Sequence, residues 1–369
     1  MNAERVPIIS RFASAVRDVP NHLLSKVSCD ETVRILGPVS FEKTEIYFLD
    51  LSTGSPTGTF KDHLASVTVA HCLHAGIESF VTQTSGNTGN AIARYAHREG
   101  IEVHIFYPAR NRYKILPELG SLKNIHFVEV EGTERDQKLF ARRYAQHLNV
   151  PWLPNFQLQI EANKLRAYFL EEWCRQTDIV FDWKVQALSS GFGIFGFYRG
   201  LAELGSNHNP AFLGVQQQGR SPYAGDPFES EEALLEPTLF RSEPGPELLS
   251  EMKELCRRTS GRVVSLSKET YDAYRSVVVE LFGRVGLQPR PAVKRQGFQE
   301  KSPLIALAGA ISQIKTGGIR EGQSLLVAVT GGCGAVPSAE FQSSHWVDPQ
   351  ESELVLQKRA AVDRASKSR

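Results

Sequence analysis

The sequence predicts an α/β protein in which parallel sheets are flanked by helices. From about residue 45 onward, short apolar runs alternate with polar loops and helical patterns. Ile46–Leu51 is an apolar run of strand length, and Ser52–Thr59 is a loop rich in Gly, Pro, Ser and Thr. Lys61–His74 has a helical pattern that Gly76 is expected to end. Because parallel strands are joined by helical crossovers, this alternation indicates parallel sheets.

The alternation continues along most of the chain. In such sheets, ligands bind beyond the carboxyl ends of the strands. Four polar, glycine-bearing loops follow predicted strands, and we expect the chemistry there. The other predicted elements are strands at 79–83, 103–107, 125–130, 185–188, 212–216 and 324–329, helices at 90–98 and 194–204, and two helices whose core-facing stripes are Phe140, Tyr144, Leu148 and Leu165, Phe169, Trp173.

Composition excludes several classes of protein. Of the 369 residues, 41% are hydrophobic and 22% are charged, which excludes a disordered or fibrous chain. The 42 Lys and Arg nearly balance the 41 Asp and Glu, so bulk attraction to nucleic acid is not expected. The sequence has no apolar run of membrane-spanning length, no signal-peptide core, and five cysteines without a CxxC pair. We therefore expect a cytoplasmic enzyme without a metal site.

The first two loops offer an amine and an anion site. Lys61 follows Ser55–Phe60 at a predicted helix start, where a cation is locally unfavourable. A solvated lysine and a lysine held for imine chemistry both explain it, and this loop alone favours the solvated one. Thr84–Gly89 also opens a helix, and its N–H groups and hydroxyls can hold a carboxylate. Helix capping needs one such residue, so six consecutive polar or glycine residues favour a binding function.

The third and fourth loops suggest phosphate and ring contacts. Gly191, Gly193 and Gly196 form a GxGxxG pattern after a strand. The next strand reaches Gln216 without the acidic residue that a dinucleotide site needs, so a phosphate cradle is favoured. Thr330 ends an apolar strand before Gly-Gly-Cys-Gly, and it is either a plain turn residue or a hydroxyl for a heteroaromatic nitrogen.

Together these loops resemble those of the pyridoxal-phosphate enzymes of the tryptophan synthase β-subunit type (fold type II), in particular the threonine synthases. The resemblance rests on Pro56–Asp62, Thr84–Gly89, Ser190–Gly193 with Gly196, and residues 330–334, and it spans roughly residues 30 to 335. It implies a two-domain α/β fold with a pyridoxal 5'-phosphate cofactor, a homodimer, and a role in amino-acid biosynthesis.

The resemblance also implies residue roles. Lys61 would hold the cofactor as an imine and move the substrate α-proton. Asn87 would contact the cofactor 3-hydroxyl oxygen, and Thr330 would face the pyridine nitrogen. The cofactor phosphate would be held by Ser190, Gly191, Phe192 and Gly193, and the substrate carboxylate by Thr84, Ser85, Gly86 and Thr88.

One departure concerns the leaving group. The family usually has Arg after the Lys-Asp pair, where this chain has His63. His63 is therefore a candidate for binding an anionic leaving group. Lys164 or Arg166 is the next candidate if His63 faces elsewhere.

The sequence thus predicts a small mobile domain at 61–150 and a larger cofactor-binding domain made of 1–60 and 151–369. The expected activity is β- or γ-elimination or replacement on a small amino acid with an anionic leaving group, most simply phosphate, as in threonine synthase. A cysteate synthase-like replacement and a serine or threonine dehydratase remain alternatives. An NAD(P)-binding reductase using Gly191–Gly196 and a catalytically inactive cofactor-binding protein are the rivals from other classes.

Overall fold

A computed structural model of the protein describes residues 7–28, 32–132, 134–226, 234–239, 244–291, 298 and 300–333, and the backbone of 345–347. Helices and strands alternate over most of this range, so the predicted α/β class is confirmed. The helices are α1 (Ile8–Arg11), α2 (Asn21–Val27), α3 (Lys61–Ala75), α4 (Asn87–Arg98), α5 (Glu134–Leu148), α6 (Phe156–Thr177), α7 (Phe192–Glu203), α8 (Pro246–Thr259), α9 (Lys268–Arg284) and α10 (Ser302–Lys315).

The larger sheet has six strands. Its order in space is β1-β2-β9-β6-β7-β8. All neighbouring pairs are parallel except β1–β2, which forms an antiparallel hairpin at one edge. Its strands are β1 (Arg34–Phe41), β2 (Thr44–Asp50), β6 (Trp183–Ala187), β7 (Ala211–Gln217), β8 (Arg262–Leu266) and β9 (Ser324–Val329).

The smaller sheet has four parallel strands in the order β10-β5-β4-β3. Its last strand comes from the C-terminal part of the chain, although the other three lie within the predicted small domain. Its strands are β3 (Ser79–Gln83), β4 (Glu102–Pro108), β5 (Ile125–Val130) and β10 (His345–Val347).

Most of the sequence predictions for these elements agree with the structure. The strands predicted at 79–83, 125–130 and 324–329 have those bounds, and α3 ends at Gly76 in the left-handed conformation. The second helix begins at Asn87, three residues before the predicted start. The sequence analysis assigned no elements to α8, α9 and α10.

The apolar stripes predicted for α5 and α6 lie in the core. Phe140, Tyr144 and Leu148 are buried, and Trp173 packs against the same core as Leu165 and Phe169. One continuous apolar cluster includes residues of α3, α4, α6 and α7, so helices next to both sheets share a core. No helix in the described part of the chain combines the length and hydropathy that crossing a bilayer requires.

Candidate active site

A cavity of about 580 Å³ lies where the carboxyl ends of strands from both sheets meet. Its walls include residues that directly follow β3, β4, β6 and β9. This is the position at which open parallel sheets bind ligands. Ten of the twelve predicted site residues line it, namely Lys61, Thr84, Ser85, Asn87, Thr88, Ser190, Gly191, Phe192, Gly193 and Thr330.

Lys61 is the first residue of α3, and its side chain reaches the cavity. The preceding loop is held in place by Asp62, whose Oδ2 accepts hydrogen bonds from the N–H and hydroxyl of Thr57 at 3.0 and 2.9 Å. Burial lowers the pKa of Lys61 to about 8, and the charge of Arg166 adds to this effect while Glu300 opposes it. A lowered pKa leaves more of the amine neutral near pH 7, which nucleophilic chemistry requires.

The glycine loop after β6 leads directly into α7. Gly191 caps this helix at φ +84°, a conformation that favours glycine. The N–H groups of the first helical turn have no acceptor within the helix and lie at its positive end. A Cβ atom on Gly193 would lie 3.1 Å from Arg166 Nη2 and 3.2 Å from Gln186 Nε2. The loop is therefore packed closely over donor groups and suits an anion.

Arg166 carries a positive charge beneath this loop. Its side chain is fully buried, and burial lowers its pKa to about 9. It donates hydrogen bonds to the carbonyl of Gly193, the side-chain oxygen of Gln186 (3.2 Å) and the carbonyl of Asn163 (3.3 Å). All three acceptors are neutral, so the described residues that bond this guanidinium leave its charge uncompensated. An anion bound at the glycine loop would stabilise this buried charge.

The loop before α4, residues 84–86, is held by side-chain hydrogen bonds, whereas the glycine loop before α7 lies over a buried cation. The hydroxyl oxygen of Thr84 accepts hydrogen bonds from the N–H groups of Gly86 and Gly89, both at 2.9 Å. Asn111 donates to the carbonyl of Ser85 at 2.8 Å, and Gln137 donates to that of Thr84 at 2.6 Å. Thr84 thus shapes the loop as well as lining the cavity.

Thr330 and Glu300 also line the cavity. The carbonyl of Thr330 accepts a hydrogen bond from the N–H of Phe60 at 3.1 Å, which ties the end of β9 to the residue before Lys61. The Glu300 carboxylate accepts a hydrogen bond from the side chain of Asn87 at 2.7 Å and one from Ser302 at 3.0 Å. The sequence analysis missed Glu300, because no strand or motif marks its surroundings.

The other two predicted site residues, His63 and Gly86, lie elsewhere, and so does Lys164, a further candidate for binding the leaving group. His63 does not line the cavity, because its position on α3 turns it into the core. Burial lowers its pKa to about 3, so it is neutral and unsuited to binding an anion. Gly86 lies behind the cavity wall, where a Cβ atom would approach Lys114 Cβ to 2.6 Å. Lys164 is buried in ion pairs with Glu161 (2.7 Å) and Glu203 (2.9 Å).

The residues present fit pyridoxal phosphate. The cavity offers a primary amine with a lowered pKa, a glycine loop over an uncompensated guanidinium, and a threonine hydroxyl at a strand end. A dinucleotide fits less well, since Gln216, at the position of the ribose-binding acid, accepts a hydrogen bond from the N–H of Tyr223 at 3.0 Å.

Comparisons with known proteins agree with this interpretation. The family described as pyridoxal-phosphate dependent enzymes matches residues 33–286. A threonine synthase from Synechocystis sp. is 25% identical over 188 residues, which are 49% of this chain and 48% of that protein. A threonine synthase from Mycobacterium bovis is 23% identical over 284 residues, which are 75% of this chain and 74% of that protein.

A solved structure extends the likeness to the fold. The crystal structure of a pyridoxal-phosphate-bound threonine synthase from Brucella melitensis matches with a TM-score of 0.63 and 11% identity, over 93% of this chain and 84% of that one. At this identity the match concerns architecture alone. The family match covers well over half of the chain, so the protein belongs to the pyridoxal-phosphate-dependent enzymes, as a threonine synthase-like member with the fold type II architecture and pyridoxal 5'-phosphate as its cofactor.

Proposed function

We propose that the protein catalyses β- or γ-elimination or replacement on a small amino acid with an anionic leaving group, most simply a phosphate. The observation that carries this proposal is the placement of Lys61, Arg110 and Lys138 on the walls of one cavity. The first supplies an amine for proton transfer, and the other two supply positive charge for a departing anion. Threonine synthases among the similar proteins support the same reaction class.

In this proposal each part of the site has a separate task. Bound pyridoxal phosphate supplies the electron sink for the negative charge that develops at the substrate Cα. Lys61 would hold the cofactor, and its amine, once free, would take the α-proton, which its lowered pKa favours near neutral pH. The helix start at Gly191–Gly193 would hold the cofactor phosphate, and Thr330 would hold the pyridine nitrogen. Ser85 and Thr88 would hold the substrate carboxylate, and Asn87 would hold the cofactor ring oxygen.

Arg110 and Lys138 replace His63 as the proposed contacts of the leaving group. Arg110 lies just after β4, and Lys138 lies on α5, where it also forms an ion pair with Glu134 at 3.1 Å. A guanidinium and an ammonium stay charged at neutral pH, unlike the buried His63.

The domain arrangement belongs to the same proposal. We infer that residues 61–150 form a mobile unit that closes over the remainder of the chain and excludes water from the reacting groups. A homodimer and a cytoplasmic location complete the proposal.

A substrate panel tests the reaction class. The holoenzyme is assayed with O-phosphohomoserine, O-phosphoserine, O-acetylserine, serine and threonine, and release of phosphate, acetate and 2-oxo acid is measured. We expect the highest kcat/KM with a phosphorylated compound. If O-acetylserine or free threonine gives the highest value, the phosphate proposal is wrong and a sulfhydrylase-like or dehydratase reaction takes its place. Phosphate release from O-phosphoserine that requires sulfite indicates the cysteate synthase-like replacement.

Charge-removing variants test the two cations. Arg110→Gln and Lys138→Gln should each raise KM for the phosphorylated substrate about tenfold, as expected for a lost charge-assisted contact of about 1.4 kcal/mol. Arg142→Gln is the matched control, because Arg142 lies one turn further along α5, is exposed and does not line the cavity. Equal KM values in all three variants would rule out the assigned leaving-group site.

A further inference from the structure

A cluster of two histidines and a glutamate lies at the amino-terminal edge of the smaller sheet. Glu102 and His104 are two residues apart on β4, so they point to the same face, and His104 pairs in register with His126 on β5. We propose that Glu102, His104 and His126 form a binding site for a divalent transition metal ion such as Zn²⁺.

The ligand atoms converge on one point. Glu102 Oε1 lies 3.0 Å from His126 Nε2 and 3.7 Å from His104 Nε2, and the atoms of the three side chains that could coordinate a metal lie within 4.8 Å of one another. Nitrogen and oxygen ligands of zinc lie about 2.0–2.2 Å from the metal, so two of them at a tetrahedral angle are about 3.3–3.5 Å apart. The two contacts to Glu102 bracket this separation, so small side-chain rotations complete the geometry.

The chemistry of the three groups also fits. Two imidazoles and one carboxylate are a donor set that zinc and related divalent ions use in proteins, with water completing the coordination. His104 is held in the interior, where its ring lies edge-on to Tyr144 at 5.1 Å, and it is 2% exposed. The side chain of His126 is 27% exposed, which leaves a path from solvent to the site.

A histidine pair that only shares a hydrogen-bonding glutamate is the simpler explanation. The rings of His104 and His126 stack with centroids 4.7 Å apart, which such a pair can also do. The metal is favoured because both Nε2 atoms turn toward the same carboxylate oxygen, and the 3.7 Å from His104 Nε2 to that oxygen is longer than a hydrogen bond but close to the separation of two ligands of one metal ion. A cation between them binds all three groups at once.

The site lies far from the cavity. Glu102 begins β4 and Pro108, which lines the cavity, ends it, so at about 3.3 Å per residue the cavity wall lies about 13 Å from His104 and about 20 Å from Glu102 along the strand. A metal here would link β4 to β5 and stabilise the smaller sheet. Its role is therefore structural and independent of the proposed reaction.

Calorimetric titration of Zn²⁺ into tag-free holoenzyme, first treated with a chelator, tests the proposal. We expect one tight site per chain, a higher melting temperature with Zn²⁺, and an unchanged absorbance of the bound cofactor. Glu102→Gln and His126→Gln should each weaken Zn²⁺ binding about a hundredfold, since removing even a supporting group of a metal site costs about 10- to 100-fold. His22→Gln on α2 is the control, because His22 is exposed and remote from the cluster in sequence and element.

The Glu102→Gln and His126→Gln variants also show which results would contradict the metal-site proposal. Zn²⁺ affinity that stays within about twofold of the unchanged protein in both Glu102→Gln and His126→Gln would overturn the proposal, as would the absence of a stoichiometric site. His104→Gln is a weaker test, since a buried substitution can disturb folding, so the two partly exposed ligands decide. Because the readouts are metal binding and melting temperature, the outcome does not depend on which substrate the enzyme uses.

Discussion

Several helices begin at the cavity wall, and the starts of α4 and α7 differ in the charge beside them. The start of α7 at Phe192 lies over the buried guanidinium of Arg166, which donates only to neutral oxygens. The start of α4 at Asn87 lies beside a carboxylate, because the Asn87 side chain donates to Glu300 at 2.7 Å. Each helix start is the positive end of its helix dipole. At α7 the guanidinium of Arg166 adds to this positive charge, whereas at α4 the carboxylate of Glu300 partly compensates it.

This difference assigns a different anion to each helix start. A dianionic phosphate monoester gains most where dipole and guanidinium act together, so the α7 end suits the cofactor phosphate. A singly charged carboxylate is sufficient for the α4 end, where the hydrogen-bonded loop around Thr84 provides shape. In the sequence both loops are polar, contain glycine and open a helix, so the sequence alone does not show which anion each one binds. The charged side chains that packing places beside them, Arg166 and Glu300, make that distinction.

The largest expected effect comes from placing a negative charge at the α7 end. Gly193→Asp puts a carboxylate beside the phosphate, and one like-charge pair at about 4 Å costs about 4 kcal/mol at an effective dielectric constant of about 20. Cofactor affinity should therefore fall by about a thousandfold, measured by absorbance titration of the apoenzyme with pyridoxal phosphate. The control is Gly283→Asp on α9, where a Cβ atom would have no neighbour within 4 Å among the described residues. If Gly193→Asp keeps its affinity for pyridoxal phosphate, the cofactor phosphate binds at another site.

Removing the guanidinium should have the next largest effect. Arg166→Gln should weaken cofactor binding by about 1.5 to 3 kcal/mol, the range for hydrogen bonds that involve a charged group. It should also raise the pKa of Lys61 above about 8, because the Arg166 charge lowers that pKa. Less of the amine is then neutral at pH 7.5, so cofactor attachment slows and its pH profile moves to higher pH.

Arg166→Lys distinguishes the effect of the positive charge of Arg166 from the effect of its guanidinium geometry. It keeps a cation beneath the loop, but its three N–H groups share one nitrogen and cannot span the separate acceptors that the planar guanidinium reaches. We expect its pH profile for cofactor attachment to stay close to that of the unchanged enzyme while affinity falls. If Arg166→Lys and Arg166→Gln shift the profile equally, the charge of Arg166 does not set the titration of Lys61.

A change in the loop before α4, at residues 84–86, should affect substrate binding. Thr84→Val removes the acceptor of two N–H groups, at an expected cost of about 2 kcal/mol in folding free energy. The loop should loosen, so KM for the amino-acid substrate should rise while cofactor affinity changes little. Thr44→Val is the control, because in the described structure the buried hydroxyl of Thr44 has no hydrogen-bond partner. A fall in cofactor affinity with unchanged KM would contradict the division of tasks between the two helix starts.

Local patterns made much of the fold and site predictable. Ser79–Gln83 and Ser324–Val329 are apolar runs between turn residues, and they form strands with those bounds. Lys61 and Thr330 were assigned from motifs, and both line the cavity. The antiparallel strand β1 was not predicted, because Gly37 and Pro38 interrupt its pattern.

Interactions between distant residues were not predictable from these patterns. Arg166 lies on a helix face among apolar residues, and nothing local shows that it reaches Gly193, 27 residues away. Glu300 meets Asn87 across 213 residues. His63 was expected to reach substrate because of its neighbours in sequence, but the turn of α3 directs it into the core. Motifs of consecutive residues therefore predicted which loops line the cavity, whereas they did not predict how tertiary packing arranges the charges around it.

The smallest effect should come from removing the carboxylate at the α4 end. Glu300→Gln keeps an oxygen that can accept the hydrogen bond from Asn87, so the loop should keep its shape. The lost negative charge had raised the pKa of Lys61 against burial and Arg166. Lys61 should therefore titrate at a lower pH, and the pH profile of cofactor attachment should shift downward by less than about one unit, opposite in sign to Arg166→Gln. The absence of a shift in both variants would mean that burial alone sets this pKa, and the two helix starts would then differ in shape and not in charge.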